Sequence, residues 1–480
     1  MTIATPPPAR FPVSDRQQDL PPSRVSRLRP YQLAAGGAIL DSVMNRRGLT
    51  FTVVMARQAG KNELSAQLEL LLLLRHMKRP LDGVKCAPSM SPQADVSLRR
   101  LWSTLVYGGL ADNAILDDRA NWGGRYVQFG RARMVFLLAD PMANVVGHTA
   151  SLILEVDEAQ DVDAETFDRK FRPMASTTGA TTVYYGTPWD ESTLLEQTVQ
   201  RNLELERKDG IRRHFEADWM EVAACNPEYA RYVEGERERL GENHPLFLTQ
   251  YALKPLPGAG RLFSGSQRAQ MTGNHARQHV PIEGETYVAG LDIGGEGEGD
   301  HDSTVLTIAR VVEPSPLALV QENRLEVVEH IAMTGVPHDE AISRMADLLG
   351  RVWSVKRVAV DATGMGEAVA RMLDRSLGAG VVQPVKFTSS SKSAMGYDLL
   401  AAVNGGRLRA YVADGSAEYA ELWSQVDRTR VAYRPGRQMS FGVDPSEGHD
   451  DYVMSLALVV AAGKDGIAAP RVARGRSALN

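Results

Sequence analysis

The stretch from Val53 to Leu64, VVMARQAGKNEL, joins an apolar run to a helical pattern through a short turn with a glycine and a lysine. Backbone N–H groups of such a turn, together with a helix N-terminus, converge on phosphate oxygens, and the lysine adds positive charge. The common phosphate-loop pattern, G-x-x-x-x-G-K-[ST], has glycine where Met55 stands and a hydroxyl where Asn62 stands. Taken alone, the stretch fits a phosphate site and an ordinary strand-to-helix turn equally well.

A second stretch, SLILEVDEAQD, places two carboxylates at the end of an apolar run. Asp157 there is suited to Mg²⁺, and Glu158 is suited to deprotonate an attacking water. A third run, TTVYYGTP, ends in a turn that carries Thr187, a candidate sensor of a terminal phosphate, although such a turn is commonly only a turn. Two solvated acids remain the alternative for SLILEVDEAQD alone, but the upstream glycine and lysine favour nucleotide hydrolysis.

Four acids in the second half of the chain have the order and element types of a two-metal site. Asp292 lies in the strand-like GLDIGG, Asp361 ends the strand-like VAVDATG, and Asp450 and Asp451 open the helix-like DDYVMSLAL. Two-metal phosphodiester hydrolysis needs carboxylates from separate elements that hold two cations about 4 Å apart. Helix capping by Asp450 or Asp451 and turn formation by Asp361 are the structural alternatives.

Alternating apolar strands and helices must position these residues, and they predict an α/β fold. In the first half the strand candidates are TFTVVMA, GVKCAP, ARMVFLLA, SLILEVDEA and TTVYYGTP. The second half predicts three hairpin-like strands (YVAGLDIGG, STVLTIARVV and RLEVVEHIA), then strand–helix alternation, a hairpin around Tyr433 to Phe441 and a last helix. This pattern indicates a mostly parallel sheet followed by a mixed sheet.

The length and composition fit a soluble protein of more than one domain. A chain of 480 residues exceeds what one hydrophobic core usually serves. Lys and Arg total 54 against 59 Asp and Glu, a net charge of -5, so any nucleic-acid surface must be local. Arg99, Arg100, Lys386 and Lys392 are candidates for phosphate contacts. Two cysteines exclude a disulfide framework, and no apolar run approaches the roughly 20 residues of a membrane span.

We expect a flexible N-terminal arm over 1–28, a nucleotide-hydrolysing domain over 29–215, a helical lid and linker over 216–280, a nuclease domain over 281–465 and a basic tail over 466–480. The Pro/Gly-rich KPLPGAGRLFSGS is the best linker candidate.

In this order and spacing, ARQAGKNE, LILEVDEAQ and YYGTP resemble the deviant Walker A, the Walker B with its adjacent glutamate and the coupling motif of tailed-phage terminase large subunits. The later Asp, Asp, HDD series is similar to the nuclease arrangement of that family. Members often lack the first loop glycine and carry a loop arginine, as Arg57 does here. The resemblance implies a P-loop ATPase domain of the additional-strand type, with a mostly parallel sheet, and a ribonuclease-H-like mixed α/β nuclease domain.

The resemblance also implies residue roles. Lys61 binds phosphate, Asp157 organises Mg²⁺, and Glu158 activates water, while Arg57 is a candidate for an arginine that acts in cis. RPYQ resembles the family's adenine-contacting segment, although a helix cap explains Gln32 as well. The expected nucleotide-binding residues are Gln32, Arg57, Gln58, Ala59, Gly60, Lys61, Asn62, Asp157 and Thr187. The expected catalytic acids are Glu158, Asp292, Asp361 and Asp450, and the expected metal ligands are Asp157, Asp292, Asp361, Asp450 and Asp451. Asn62 departs from the pattern and predicts weaker Mg²⁺–ATP handling.

What the resemblance implies for the whole protein is an ATP- and Mg²⁺-dependent motor, with Mn²⁺ as an alternative nuclease metal. It would move double-stranded viral DNA into a procapsid and cut concatemers. The implied partners are a portal protein, a small terminase subunit and further copies in a ring of about five, in the host cytoplasm and on the procapsid portal.

Other interpretations stay open. One is a helicase-like ATP-dependent translocase whose C-terminal domain binds DNA without cutting it, and another is a structural protein with a degenerate nucleotide fold. The turns DIGG and DATGMG are also similar to those of the actin and sugar-kinase superfamily, but that fold needs two such lobes and the residues after the linker supply one.

Overall fold

The structure is a computed structural model, and it describes residues 28–118, 125–143, 145, 147–257, 259–294, 303–315, 317 and 320–464. The expected arm, except for residue 28, and the expected basic tail lie outside these residues. The chain forms two compact units. The first unit comprises Met1–Val53, Gly60–Tyr185 and Asn202–Phe215, and the second comprises Val54–Ala59, Gly186–Arg201 and Glu216–Asn480.

An eight-stranded sheet is built from the first half of the described chain, in the order β3-β4-β5-β2-β6-β7-β1-β8. The strands are β1 (Thr50–Met55), β2 (Asp82–Ala87), β3 (Ala114–Asp117), β4 (Arg125–Phe129), β5 (Ala132–Leu138), β6 (Ile153–Val156), β7 (Thr181–Gly186) and β8 (His214–Ala217). Strands β5, β2, β6 and β7 pair in parallel, and β3, β4 and β5 pair antiparallel. The five predicted strands are confirmed as β1, β2, β5, β6 and β7.

Helices α1 to α5 accompany this sheet. They are α1 (Pro30–Met44), α2 (Lys61–His76), α3 (Asp95–Tyr107), α4 (Ala164–Thr166) and α5 (Leu194–Asp209). Strands β2 and β6 are buried along almost their whole length, which accounts for their nearly continuous apolar sequences. Lys85 and Glu155, the charged residues buried within these strands, are considered with the site below.

A six-stranded mixed sheet forms the core of the second half, in the order β14-β13-β10-β11-β12-β15. Its strands are β10 (Thr286–Asp292), β11 (Thr304–Val312), β12 (Arg324–Met333), β13 (Arg357–Asp361), β14 (Val382–Val385) and β15 (Leu408–Arg409). Strands β10, β11 and β12 are antiparallel, whereas β10–β13, β13–β14 and β12–β15 pair in parallel. The predicted mixed sheet is therefore confirmed.

The remaining helices are α6 (Trp219–Cys225), α7 (Pro227–Leu240), α8 (Pro245–Gln250), α9 (Gly265–Met271), α10 (His338–Asp347), α11 (Gly366–Leu377), α12 (Ser389–Asn404), α13 (Ala417–Arg428) and α14 (Asp451–Ala462). A small sheet joins β17 (Gln438–Gly442), β16 (Arg430–Arg434) and β9 (Ala259–Arg261) in that order. The predicted hairpin is thus β16–β17, and the stretch expected to be a linker contains β9.

Helix α14 packs directly on β10 because Gly290 lets the two backbones approach. A Cβ atom at Gly290 would lie 2.2 Å from the Ser455 carbonyl oxygen and 2.5 Å from the Val459 nitrogen. Since backbone atoms cannot yield, a side chain at this position would displace the helix. Among the described residues, no helix is both long and apolar enough to cross a membrane.

Candidate active sites

The loop between β1 and α2 uses two left-handed residues, Gln58 with φ 61° and Gly60 with φ 92°. Glycine adopts this conformation without strain, whereas Gln58 does so at a cost. Lys61 is the first residue of α2 and is nearly buried, so it lies where the helix presents its unpaired N–H groups. The backbone therefore has the shape of an anion-binding turn despite Met55 in the place of the usual glycine.

Gln32 holds this loop from the first turn of α1. Its Oε1 accepts a hydrogen bond from the Arg29 backbone N–H at 2.7 Å, and its Nε2 donates to the Gly60 carbonyl oxygen at 2.9 Å. A Cβ at Gly60 would come within 2.5 Å of the same Nε2. The helix-cap interpretation of Gln32 is thus what the geometry supports, and the same side chain also supports the phosphate loop.

Asp157 follows β6 and is buried, and its Oδ2 accepts a 2.7 Å hydrogen bond from the Ser97 hydroxyl. Burial raises its pKa, while the positive charges of Lys85 and Lys61 act in the opposite direction. The Lys61 ammonium and the Asp157 carboxylate are therefore close enough to interact within the first unit. This is the pairing that the two sequence motifs predicted.

Glu158 has a left-handed backbone, with φ 46°, which is unusual for a residue with a side chain. Its Oε2 accepts a 2.6 Å hydrogen bond from the Gln160 Nε2. Strained backbone at a carboxylate is a feature that clusters at active sites. The hydrogen bond from Gln160 restricts the orientation of the Glu158 carboxylate.

A charged cluster lies beneath Asp157 in the core of the first unit. Lys85 on β2 faces Glu155 on β6 in the strand register. The Lys85 Nζ donates to the Ser65 Oγ at 2.5 Å and to the Glu69 Oε1 at 3.0 Å, and the Tyr185 hydroxyl donates to Glu155 at 3.0 Å. Burial lowers the pKa of Lys85, but Glu69, Glu155 and Asp157 outweigh it and raise the pKa overall.

Glu69 and Glu155 share this site with a single lysine, which leaves two carboxyl groups against one cation. Burial first, and then the neighbouring Glu69, raise the pKa of Glu155 well above its usual value. Buried charges are tolerated only when they are paired and hydrogen-bonded. The cluster therefore ties α2, β2, β6 and the end of β7 together through polar contacts.

In the second unit, the remaining loop residues meet the segment after β7. The Arg57 backbone N–H donates to the Gln250 carbonyl oxygen at 2.7 Å, and the Arg57 carbonyl oxygen accepts from the Tyr229 hydroxyl at 2.9 Å. The Thr187 hydroxyl oxygen accepts from the Gln250 Nε2 at 3.3 Å and from an Arg437 guanidinium nitrogen at 3.5 Å. The side chains of Arg57 and Gln58 are exposed, while Ala59 is buried.

The four nuclease-candidate acids come together at one end of the six-stranded sheet. Asp292 ends β10 and Asp361 ends the neighbouring β13. The residues just before them, Leu291 and Val360, pair with each other across the two strands. Asp450 and Asp451 open α14, which packs on β10. The predicted convergence of two strand ends and a helix start therefore occurs.

The hydrogen bonds of each acid bear on the structural alternatives, which are helix capping by Asp450 or Asp451 and turn formation by Asp361. Asp450 occupies the N-cap of α14 but its side chain makes no capping hydrogen bond. Asp451 Oδ2 accepts from the Ser303 backbone N–H at 2.7 Å, and Asp361 Oδ1 accepts from the Thr363 backbone N–H at 2.8 Å. The turn-forming role of Asp361 is thus real, and it coexists with its place beside Asp292.

The negative charges of this group affect the pKa of Asp292. Burial, followed by the charges of Asp451, Asp361 and Asp450, raises the pKa of Asp292 well above the usual range, and Lys392 opposes the shift. Burial also raises the pKa of Asp361. The Lys392 Nζ lies 3.9 Å from the Asp450 Oδ2, so this candidate DNA-contacting lysine belongs to the acid cluster.

The described residues contain no group of three or more His, Cys, Asp or Glu side chains arranged to hold a metal ion. The acids nevertheless offer only oxygen donors and crowd like charges in a buried setting, which is the donor chemistry that Mg²⁺ and Mn²⁺ prefer. The set fits a divalent cation chemically, although the carboxylates are not in ligand positions.

Several residues of these sites were not predicted. Ser97 and Gln250 lie outside the quoted motifs, Gln160 ends LILEVDEAQ but was given no role, and Arg437 lies 250 positions from Thr187 in the chain. The pairing of Lys85 with buried carboxylates could have been predicted from the sequence, because a charge inside an otherwise apolar strand needs a buried partner.

No protein-family model and no curated protein matches the sequence. Solved structures do match. The large terminase of a thermophilic bacteriophage superposes with a TM-score of 0.51 at 12% identity, over 89% of this chain and 98% of that chain. The ATP-γ-S complex of that terminase has a TM-score of 0.51 at 11% identity, over 91% of this chain and 99% of that chain. Its ADP complex has a TM-score of 0.51 at 11% identity, over 90% of this chain and 98% of that chain. This chain therefore has the fold of a phage large terminase.

Proposed function

We propose that this protein is a terminase large subunit, an ATPase that drives double-stranded viral DNA into a procapsid and a metal-dependent endonuclease that cuts the concatemer. The observation that carries the proposal is the presence, on a large-terminase fold, of two separate acid sites. Lys61, Asp157 and Glu158 lie in the first unit, and Asp292, Asp361, Asp450 and Asp451 cluster in the second.

In the ATPase reaction, the N-terminus of α2 and Lys61 bind the phosphates of ATP. Asp157, held by Ser97, is the ligand for Mg²⁺, which supplies charge neutralisation on the phosphate oxygens. Glu158, directed by Gln160, accepts the proton of the attacking water. Asn62 offers an amide oxygen in place of the usual hydroxyl, and this predicts weaker metal binding at that corner.

Thr187, Arg57, Gln58 and Ala59 complete the proposed nucleotide-binding set. Thr187 senses the terminal phosphate, and Arg57, whose side chain is exposed, acts on the transferred group. Gln32 contributes by supporting the loop through its hydrogen bond to Gly60.

In the nuclease reaction, Asp292, Asp361, Asp450 and Asp451 are the residues that would hold divalent cations, Mg²⁺ or Mn²⁺. Such cations activate water and stabilise the leaving oxygen of a phosphodiester. Lys392 partly offsets the carboxylates and lies where it can contact a DNA phosphate. Asp292 is the strand-end acid of this cluster that is buried, whereas Asp361 is only partly buried.

We further propose an ATPase domain over 29–215, a lid and linker over 216–280 and a nuclease domain over 281–465. The protein acts in the host cytoplasm as a ring of about five copies on a portal protein, with a small terminase subunit for DNA recognition. These assembly properties come from the resemblance to terminase large subunits.

Three variants separate the two reactions. Lys61→Ala and Glu158→Gln each lower ATP turnover by roughly 100-fold or more while plasmid nicking with Mg²⁺ persists, because general-base and phosphate contacts contribute on that order. Asp292→Ala abolishes nicking and leaves ATP turnover intact. Lys78→Ala and Asp374→Ala, at exposed positions, serve as controls and leave both rates unchanged.

Each alternative has its own outcome. ATP turnover without nicking by the unmodified protein, in both Mg²⁺ and Mn²⁺, would favour the non-cutting translocase. Full nicking by Asp292→Ala would contradict the nuclease assignment. Absence of phosphate release from the unmodified protein would favour a structural protein with a degenerate nucleotide fold.

A further inference from the structure

The β16–β17 hairpin, Arg430 to Gly442, touches both the Thr187 segment and the acid cluster of the second unit. Its two strands pair along their full length, from Arg430 opposite Gly442 to Arg434 opposite Gln438. All the contacts described below lie within the second unit.

The turn of the hairpin holds the segment that follows β7. Arg437 donates to the Thr187 hydroxyl oxygen at 3.5 Å and to the Gln250 Oε1 at 3.3 Å. The indole N–H of Trp189 donates to the Arg434 carbonyl oxygen at 3.0 Å, and its fully buried ring packs edge-on against Tyr433 at 5.9 Å. Two side chains of the Thr187 segment are thus fixed by the hairpin turn.

Helix α12 fixes the same hairpin from its other side. The Tyr397 hydroxyl donates to the Arg437 carbonyl oxygen at 3.1 Å, and the Met439 backbone N–H donates to the Ser393 hydroxyl at 2.9 Å. The neighbouring Lys392 lies over the Phe441 ring at 5.6 Å. Helix α12 therefore contacts the hairpin at Arg437, Met439 and Phe441, and the last of these contacts involves Lys392.

The far end of β17 meets the acid cluster. A Cβ atom at Gly442 would lie 2.6 Å from the Asp450 Oδ2, so a side chain at this position would displace the carboxylate. A strand advances about 3.3 Å per residue, so the four steps of β17 from Gln438 to Gly442 span roughly 13 Å.

We propose that the β16–β17 hairpin is a shared positioning element, in which Arg437 positions Thr187 while Gly442 positions Asp450. Given the proposed function, this arrangement makes DNA cutting depend on the nucleotide that Thr187 senses. Binding of the nucleotide shifts Thr187, Arg437 transmits the shift along β17, and the Asp450 carboxylate moves relative to Asp292. Arg437 is a positioning residue because it acts through Thr187 and the β16–β17 hairpin.

The test compares plasmid nicking with and without ATP-γ-S in the full-length protein. Nicking by the unmodified protein changes about threefold or more on addition of ATP-γ-S, the order typical of coupling between sites. In Arg437→Gln the ratio of the nicking rates with and without ATP-γ-S falls to about one. Arg434→Gln is the matched control, since the hairpin uses the Arg434 carbonyl oxygen and its exposed side chain is dispensable.

A second variant tests the other end of the strand. Gly442→Ala crowds Asp450 and slows nicking with and without nucleotide, while ATP turnover is retained. Gly265→Ala, where a Cβ would meet no atom within 4 Å, is its control.

Hydrogen exchange of the backbone N–H groups of 430–442 provides a readout that needs no catalysis. ATP-γ-S slows or speeds their exchange in the unmodified protein and has no effect on them in Arg437→Gln. If ATP-γ-S changes nicking or hydrogen exchange in Arg437→Gln as much as in the unmodified protein, the inference is overturned. It is also overturned if ATP-γ-S changes neither measurement in the unmodified protein. If the unmodified protein neither hydrolyses ATP nor cuts DNA, the proposed function fails, and hydrogen exchange still decides the role of the hairpin.

Discussion

Gly60 is constrained in two ways, by its left-handed backbone and by the Gln32 amide packed against its α carbon. Either constraint alone disfavours a side chain. The residue therefore matters for the shape of the phosphate loop independently of any contact with ATP.

We predict that Gly60→Ala loses roughly 1 kcal/mol or more of stability, the cost of a β-carbon at an incompatible φ angle, and weakens nucleotide binding. Thermal unfolding and ATP-γ-S titration measure the two effects. Gly37→Ala is the control, since a Cβ there meets no atom within 4 Å and lies inside α1. An alanine in a helix interior stabilises by about 0.5–1 kcal/mol relative to glycine, so Gly37→Ala changes stability in the opposite direction.

His244 is held in one neutral tautomer. Its Nδ1 accepts from the Leu246 backbone N–H at 3.1 Å, and its Nε2 donates to the Tyr397 carbonyl oxygen at 3.0 Å. Burial lowers its pKa to about 4. Protonation of Nδ1 would remove the acceptor that caps α8, so the folded protein resists it.

We predict a loss of stability on acidification through His244. Because its folded pKa lies below the unfolded value of about 6.5, the contribution is complete above that pH and is lost as pH falls toward 4, at about 1.4 kcal/mol per pH unit. Urea unfolding at pH 7.5, 6 and 5 measures it. His244→Asn keeps a capping oxygen, and its free energy of unfolding depends less steeply on pH by that amount. If the free energy of unfolding had the same pH slope in both proteins, the role given to His244 would be contradicted. The buried His330, with a pKa of about 3, contributes equally to both proteins.

Residues that act together were predictable where the chain brings them together in short motifs. Asp157 and Glu158 are adjacent, and Gly60 and Lys61 are adjacent, so their types and neighbours reveal the chemistry. Ser97 lies 60 positions from Asp157, and nothing in its local sequence distinguishes it from a solvated helix serine. Only the folded chain reveals such a pair.

At the scale of elements, the Lys85 cluster connects a helix to three strands. We predict that Lys85→Met alone costs about 3–5 kcal/mol, since Glu69 loses its salt bridge and Glu155 loses the positive charge opposite it. The double variant Lys85→Met with Glu69→Gln recovers most of this loss, because it removes one positive and one negative charge and leaves Glu155 with a neutral neighbour. Denaturant unfolding of the four proteins of this cycle measures the coupling. Additive effects of the two substitutions would contradict the cluster.

Element prediction succeeded where apolar runs are long and failed where strands are short. Strands β3, β4 and β8 have 4, 5 and 4 residues and carry polar side chains, so they lack a clear periodic signal. Strand β9 lies in a Pro/Gly-rich stretch, and composition alone favours a loop there. Its pairing with β16 supplies the hydrogen bonds that the local sequence does not predict.

At the scale of the whole molecule, nucleotide binding and stability are linked. We predict that Mg²⁺ with ATP-γ-S at about 100 times its dissociation constant stabilises the folded protein by about 2.7 kcal/mol, which appears as a higher unfolding temperature. Lys61→Ala removes the increase and Lys78→Ala keeps it. An equal increase in Lys61→Ala would show that the nucleotide binds elsewhere.

The mixed sheet, the parallel core and the positions of the acids followed from the sequence, but strand order and unit membership did not. Pairing of β1 between β7 and β8 depends on contacts across more than a hundred residues of chain, which no local pattern encodes. The assignment of residues 54–59 to the second unit is likewise a property of the folded chain.

The two backbone hydrogen bonds of Arg57 join parts of the chain that are synthesised far apart. The partner of its carbonyl oxygen, Tyr229, lies 172 positions later, and the partner of its N–H, Gln250, later still. A nascent chain that has left the ribosome only as far as Asp157 and Glu158 already contains Gly60 and Lys61 but neither of these two partners. The turn before Gly60 therefore gains these two hydrogen bonds only after the segment that follows β8 has emerged.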